Sequence, residues 1–218
     1  MTKKKVKTRK IILASSSPRR LRLLKLSGLK FKVIKSDVNE DLLVKKFKNK
    51  GFKNLVKILS LAKALSVGTC LGMSLQGDEI VLGFDTIVVC KNKIISKPKN
   101  KKDALKKLLF LSNKRHKVFT GICLVDLKNK KINVDCEETS VIMKKISKKE
   151  AMNYINTKEP LDKAGAYAMQ GIGRKFVRRI TGDYFNVIGL PLHKFFLMLA
   201  VSTQVALAVT LLLRATFP

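Results

Sequence analysis

The sequence predicts an α/β protein, because short apolar runs that read as strands alternate with leucine-bearing segments of helical period. The longest run, Ile80 to Val89, is a continuous apolar run whose one charged residue is Asp85, the pattern of a central strand covered on both faces. Its 218 residues suffice for one good core or two small lobes, and 46% hydrophobic with 28% charged residues excludes a disordered chain.

Taken in order, Ile11 to Ala14 reads as a strand, Ser15-Ser16-Ser17 as a tight loop, and the leucines from Leu21 to Leu26 as a helix. Ser17 suits the N-cap and Pro18 the first helical position. Arg19 and Arg20 then sit at the positive end of the helix dipole, where each cation costs about 0.3–1 kcal/mol. A phosphate held by the first-turn N–H groups and both guanidinium forks compensates that cost; two solvated arginines explain the stretch equally well. Phe31 to Ile34 is a second strand, followed by Asp37, Glu40 and Asp41, three of the chain's 15 carboxylates within five residues. Such a loop offers oxygen ligands to Mg²⁺ or Mn²⁺, or is a run of solvated acids. Residues 42 to 68 carry helix-period leucines and include Lys63, and Gly68 to Asp78 is a loop.

Asp85 asks for a functional explanation more strongly than any other residue. An ionised carboxylate in an apolar strand is costly unless it meets a metal, a cation or hydrogen-bond donors, and Asp is a poor strand former. A turn at Lys91-Asn92-Lys93 predicts a hairpin that brings Lys97 back towards one end of the Asp85 strand. A helix over 101–112, strands over 118–127 and 131–142, and a helix over 148–155 follow. The stretch from Glu159 to Gly173 is rich in small residues that allow close approach to a ligand. Its Gly171-Ile172-Gly173 is no Walker sequence, but Gln170 offers an amide for a base edge and Lys163 a further cation. Phe176 to Ile180 and Asn186 to Leu190 read as two strands before a last helix from Pro191.

The net charge of +31 points to a polyanion partner. Only nine of the 46 basic residues are Arg, however, and the lysines are spread along the whole chain, so no specific nucleic-acid partner is expected. Cys70, Cys90, Cys123 and Cys136 show no metal-ligand spacing and read as small buried hydrophobes of a reducing compartment, the cytoplasm. The basic tail, residues 1–9, has no apolar segment of a secretory signal. Phe195 to Leu213 carries no charge over 19 residues, long enough to cross a bilayer, although Ser202, Thr203, Gln204 and Thr210 interrupt it; a buried terminal helix explains it as well.

Several motifs in order carry a resemblance to a known family. They are Ala14-Ser15-Ser16-Ser17-Pro18-Arg19-Arg20, Gly83-Phe84-Asp85-Thr86-Ile87-Val88, Ser96-Lys97-Pro98, Phe119-Thr120-Gly121, Glu159 to Tyr167, and Gly182 to Pro191. Together, over residues 10–199, they resemble the Maf nucleoside triphosphate pyrophosphatases. The resemblance implies a mixed, strongly twisted sheet with flanking helices and two lobes around a cleft, similar to inosine triphosphatase, with residues 200–218 an apolar tail lacking a family counterpart. It implies metal-assisted hydrolysis of a nucleoside triphosphate to the monophosphate and pyrophosphate, with a homodimer as the expected assembly. By similarity, Asp85 matches the proton acceptor and Glu40 the acidic residue of the first loop, the two expected at the metal. Ser15, Arg19, Lys63 and Lys97 match the groups around the phosphates. Arg20, Thr86 and Gln170 match the residues linked to dTTP and UTP preference rather than to the sister activity on 7-methyl-GTP. Phe84 stands where a small residue is usual, which predicts a tighter pocket floor. The rival class is a non-enzymatic polyanion-binding protein, marked by strongly salt-dependent binding without pyrophosphate release.

Overall fold

In the computed structural model, which describes residues 9–70 and 78–203, Glu79–Cys90 forms β3, the strand on which the sheet is centred. The remaining strands are β1 (Lys10–Ala14), β2 (Phe31–Val33), β4 (Lys93–Ile94), β5 (Arg115–Asp126), β6 (Lys131–Met143) and β7 (Val177–Thr181). They run in the order β2-β1-β3-β5-β6-β7, with β4 paired to β3. β1 is parallel to both neighbours and the other pairs are antiparallel, so the sheet is mixed.

β3 shows why its apolar run is continuous. Ile80, Leu82, Phe84, Val88 and Cys90 enter the large core on one face, while Val81, Ile87 and Val89 enter two smaller clusters on the other. Alternation of side chains across the sheet thus supplies both cores from one strand. The large core is closed by α1 (Pro18–Leu26), α4 (Lys101–Leu111), α5 (Lys148–Asn156) and α7 (Leu192–Thr203). The opposite face is covered by α3 (Phe52–Cys70), which approaches closely because β3 and β5 present glycines to it. A Cβ on Gly83 would meet the Ser60 carbonyl oxygen, and one on Gly121 the Val56 carbonyl oxygen.

Three elements differ from expectation. The segment 42–68 is two helices, α2 (Glu40–Phe47) and α3, because Gly51 takes φ +80° after a short 3-10 turn and breaks the helical path. α3 continues past Gly68 to Cys70; the rest of the expected loop, 71–77, lies outside the described residues apart from Asp78. Asn186 to Leu190 is not a strand. Its first residues belong to α6 (Tyr184–Ile188), in which the Asp183 side chain accepts from the Phe185 and Asn186 N–H groups and Gly189 closes the end at φ +111°.

The expected hairpin is present but short. Lys91 and Asn92 take positive φ, and β4 pairs only two residues before the chain leaves the sheet. The final helix packs Phe195, Phe196 and Leu199 into the large core and exposes Leu197 and Val201, the signature of a half-buried helix. Among the described residues no helix is long and apolar enough to cross a membrane. Residues 204–213 of the uncharged run and tail residues 1–8 lie outside the described residues.

Candidate active site

The sheet register leaves a gap where the site forms. β1 pairs with β3 only up to Ala14 opposite Gly83, and β4 begins pairing only at Val89, so that edge of β3 between them faces open space. β1 is also the point at which the parallel part of the sheet grows in both directions, towards β2 and towards β3. The crevice beyond the carboxyl end of such a strand is where open α/β sheets bind ligands. A cavity of about 560 Å³ lies there, between residues 14–20 and 35–40 on one side and Lys97 with residues 162–170 on the other.

All ten residues singled out in the sequence line this cavity: Ser15, Arg19, Arg20, Glu40, Lys63, Asp85, Thr86, Lys97, Lys163 and Gln170. Asp85 and Thr86 are neighbours on β3 and point to opposite faces, yet both reach it because the cavity wraps the unpaired edge.

Asp85 is 4% exposed, and its Oδ1 accepts from Lys63 Nζ at 2.5 Å. Lys63, itself buried on α3, also holds Glu40 Oε1 at 2.7 Å. Burial pushes the Glu40 carboxyl up, but Lys63, Lys97 and Arg20 together hold it below the usual carboxylate range. A buried cation therefore offsets the cost of placing Asp85 in an apolar strand.

The two arginines have separate tasks. Arg20 is buried, and donates from Nε to the Gly189 carbonyl at 2.8 Å, from one terminal nitrogen to Ser15 Oγ at 3.3 Å and from the other to Thr86 Oγ1 at 2.9 Å. Burial lowers its pKa, against which the nearby Asp85 charge acts. Arg19 is more open and pairs with Asp162 at 3.7 Å. The structure thus does not form the expected fork of two free guanidinium groups: one is a buried strut and the other faces the cavity rim. Ser17 starts α1 without a side-chain cap, and the Ser17 N–H instead donates to Ser15 Oγ at 3.2 Å.

Thr86 carries the Arg20 contact onward. Thr120 Oγ1 donates to the Asn186 carbonyl at 3.4 Å, so Thr86 is the donor in the 3.0 Å bond to Thr120. Arg20, Thr86, Thr120 and the α6 backbone form one directed chain.

Six cations line the cavity against four carboxylates. Lys163 is held by the Glu159 carbonyl at 2.7 Å and by Asp162 at 2.5 Å, and Lys97 bears on Glu40 electrostatically. Phe84 does not form the floor. It is fully buried beneath Arg20, with its ring 5.9 Å from the guanidinium carbon and 5.8 Å from the Phe195 ring.

The acidic run is not a metal cage. Glu40 opens α2, whose N-cap Asn39 accepts from Leu42 N–H, and among the described residues no group of three or more metal-type ligands converges. What does converge is Glu40 with Asp85, two hard oxygen donors on one ammonium. That set suits Mg²⁺ or Mn²⁺, which take one or two carboxylates and complete their shell with water and substrate phosphates.

The sequence profile of the Maf-like protein family matches residues 10–202. The chain belongs to the Maf-like protein family. Similar members include the dTTP/UTP pyrophosphatase of Caldicellulosiruptor saccharolyticus, 44% identical over 88% of this chain and 94% of its own. That of a Thermoanaerobacter species is 46% identical over 86% and 93%, and that of Clostridium perfringens 41% over 86% and 94%. The Staphylococcus aureus Ham1 structure matches at TM-score 0.40 and 16% identity over 62% of this chain and 71% of that one, too distant to bear on function.

In this Maf-like protein three residues that the sequence places within motifs but gives no role also contribute to the site. Tyr167 lines the cavity, and its hydroxyl shares a 2.8 Å hydrogen bond with His116 Nε2. Burial lowers the His116 pKa to about 4 and raises that of Tyr167, so the pair is neutral. The Gly189 carbonyl that anchors Arg20 carried no signal, because a backbone acceptor leaves none. Thr120 did, as a hydroxyl within an apolar strand.

Proposed function

We propose that this Maf-like protein hydrolyses dTTP and UTP to the monophosphate and pyrophosphate in the cavity at the end of β1. The observation that carries the reading is Asp85: a buried carboxylate on the open edge of β3, beside a cleft lined by six cations. A triphosphate brings about four negative charges, which such a lining neutralises.

The Asp85 carboxylate, which accepts from Lys63 before substrate binds, takes the proton from the attacking water. The water oxygen forms its bond to the α-phosphorus as the bond from that phosphorus to the bridging oxygen breaks, and the electron pair leaves with pyrophosphate. Lys63, Lys97, Arg19 and Lys163 face the charge that develops on the leaving group. Glu40 and Asp85 would hold Mg²⁺ or Mn²⁺, which supplies Lewis-acid polarisation of the phosphate oxygens. Gln170 presents both a donor and an acceptor, as a pyrimidine edge requires, and Arg20, hydrogen-bonded to Thr86, lines the same cavity.

The relatives named above as dTTP/UTP pyrophosphatases support this substrate class over 7-methyl-GTP. Buried, unpaired Cys90, Cys123 and Cys136 are in keeping with a reducing cytoplasm. The homodimer rests on the family resemblance and is tested by light scattering.

Purified protein is offered a panel of nucleoside triphosphates with Mg²⁺ or Mn²⁺, and released pyrophosphate is read. Release fastest with dTTP and UTP supports the proposal. Release fastest with 7-methyl-GTP overturns the specificity, and none with any nucleotide overturns the activity.

A further inference from the structure

Lys63 occupies an unusual place for a phosphate-binding cation. Its Nζ is within 2.7 Å of Glu40 Oε1 and 2.5 Å of Asp85 Oδ1, so it stands at the point where the two carboxylates converge. A divalent cation held by the same two carboxylates would need that same point. The ammonium reaches it from α3 with its side chain 9% exposed, and the close packing of α3 onto Gly83 and Gly121 fixes the helix that carries it. Arg20 and Lys97 add positive charge around Glu40.

We propose that Lys63 is the built-in counter-ion of the metal site, so that the free protein excludes divalent cations and a metal enters only together with a triphosphate. Two carboxylates and one ammonium leave a single negative charge, and a divalent ion beside an undisplaced ammonium meets repulsion in a partly dry site. A triphosphate removes the obstacle by offering its own oxygens both to the metal and to the displaced ammonium. Lys63 thus has two partners in turn, the carboxylates before substrate arrives and the phosphates afterwards. Metal and nucleotide binding are coupled through it, and by linkage each strengthens the other. The inference rests on the proposed metal-assisted reaction, and it concerns the order of binding rather than the chemistry.

Mn²⁺ binding is read by the loss of the free-ion electron paramagnetic resonance signal, with no turnover involved. The wild-type protein, Lys63→Met and Lys63→Arg are each titrated alone and with a dUTP analogue carrying nitrogen between the α- and β-phosphorus atoms, and Mn²⁺ bound by the analogue in a protein-free titration is subtracted. Far-ultraviolet circular dichroism confirms that each variant is folded. Lys63→Met, which keeps the apolar stem and loses the charge, is expected to bind Mn²⁺ without nucleotide about tenfold or more tightly than wild type. Lys63→Arg keeps the charge and is expected to exclude it, and wild type is expected to take up Mn²⁺ when the analogue is added. Equal Mn²⁺ affinity of wild type with and without the analogue overturns the inference while leaving the metal-assisted reading intact, and this arm holds even if Lys63→Met fails to fold. A folded Lys63→Met that excludes Mn²⁺ while wild type with the analogue binds it also overturns the inference alone. Absence of Mn²⁺ binding under every condition, with the analogue itself bound, overturns the metal reading and the inference with it.

Discussion

Arg20→Lys separates a buried strut from a simple positive charge. Arg20 makes three hydrogen bonds, at 2.8, 2.9 and 3.3 Å, to acceptors on three segments: the Gly189 carbonyl, Thr86 and Ser15. A lysine keeps the charge and is therefore desolvated to a similar extent, but a single ammonium reaches one of these acceptors. Hydrogen bonds from charged donors contribute about 1.5–3 kcal/mol each, so losing two, the long one at the low end, costs roughly 3–4 kcal/mol. With a urea slope of about 2 kcal/mol per molar, the unfolding midpoint is expected to fall by roughly 1.5–2 M. Because Thr86 loses its donor, the KM for dTTP and UTP is expected to rise in the same variant. A midpoint within about 0.3 M of wild type, at unchanged slope, would refute the strut and with it the division of labour between Arg19 and Arg20.

Gly121→Ala places a methyl group against the Val56 carbonyl, which is helix backbone and cannot turn aside; the expected cost is roughly 2–3 kcal/mol, read as a melting temperature lower by about 5–10 °C. His116 is 1% exposed, and burial lowers its pKa to about 4, so below the unfolded value near 6.5 only the unfolded chain binds the proton. Its contribution is complete above about pH 6.5 and is lost as pH falls towards 4, amounting to roughly 3 kcal/mol; urea midpoints of His116→Asn should lack this slope, and an unchanged slope would remove His116 as its source. Thr120→Val preserves volume but breaks the directed chain from Arg20 to α6, for an expected loss of about 1–2 kcal/mol and a KM that rises more than kcat falls, both read against wild type.

The parts of the fold that were legible are those in which a local pattern and the tertiary environment agree. β3 could be read because a fully covered strand is apolar along most of its length, and the one charged residue within its apolar run, Asp85, stood out for the same reason. Asn186 to Leu190 misled because a five-residue apolar run suits strand or helix alike; the cap at Asp183 and the left-handed Gly189 decided it. Gly51 was an available signal for the break between α2 and α3, and leucine periodicity on either side concealed it. The composition of the cavity was legible residue by residue, whereas its wiring was not. Sequence placed two arginines side by side at a helix start, but which one is buried depends on the Gly189 carbonyl, 169 positions away. In the same way Lys63 could be assigned to the cavity, yet its position between Glu40 and Asp85 depends on how closely α3 approaches two glycines in neighbouring strands.

The most direct test of the whole account is turnover of Asp85→Asn on dTTP, measured beside binding of the non-hydrolysable dUTP analogue. The amide keeps the size of the carboxylate and an oxygen for Lys63 but cannot accept the proton. Asp85→Asn is expected to lower kcat by about 10²–10⁴-fold with analogue binding retained. A kcat close to that of wild type would contradict the role given to Asp85, because no other part of the site has been assigned the proton.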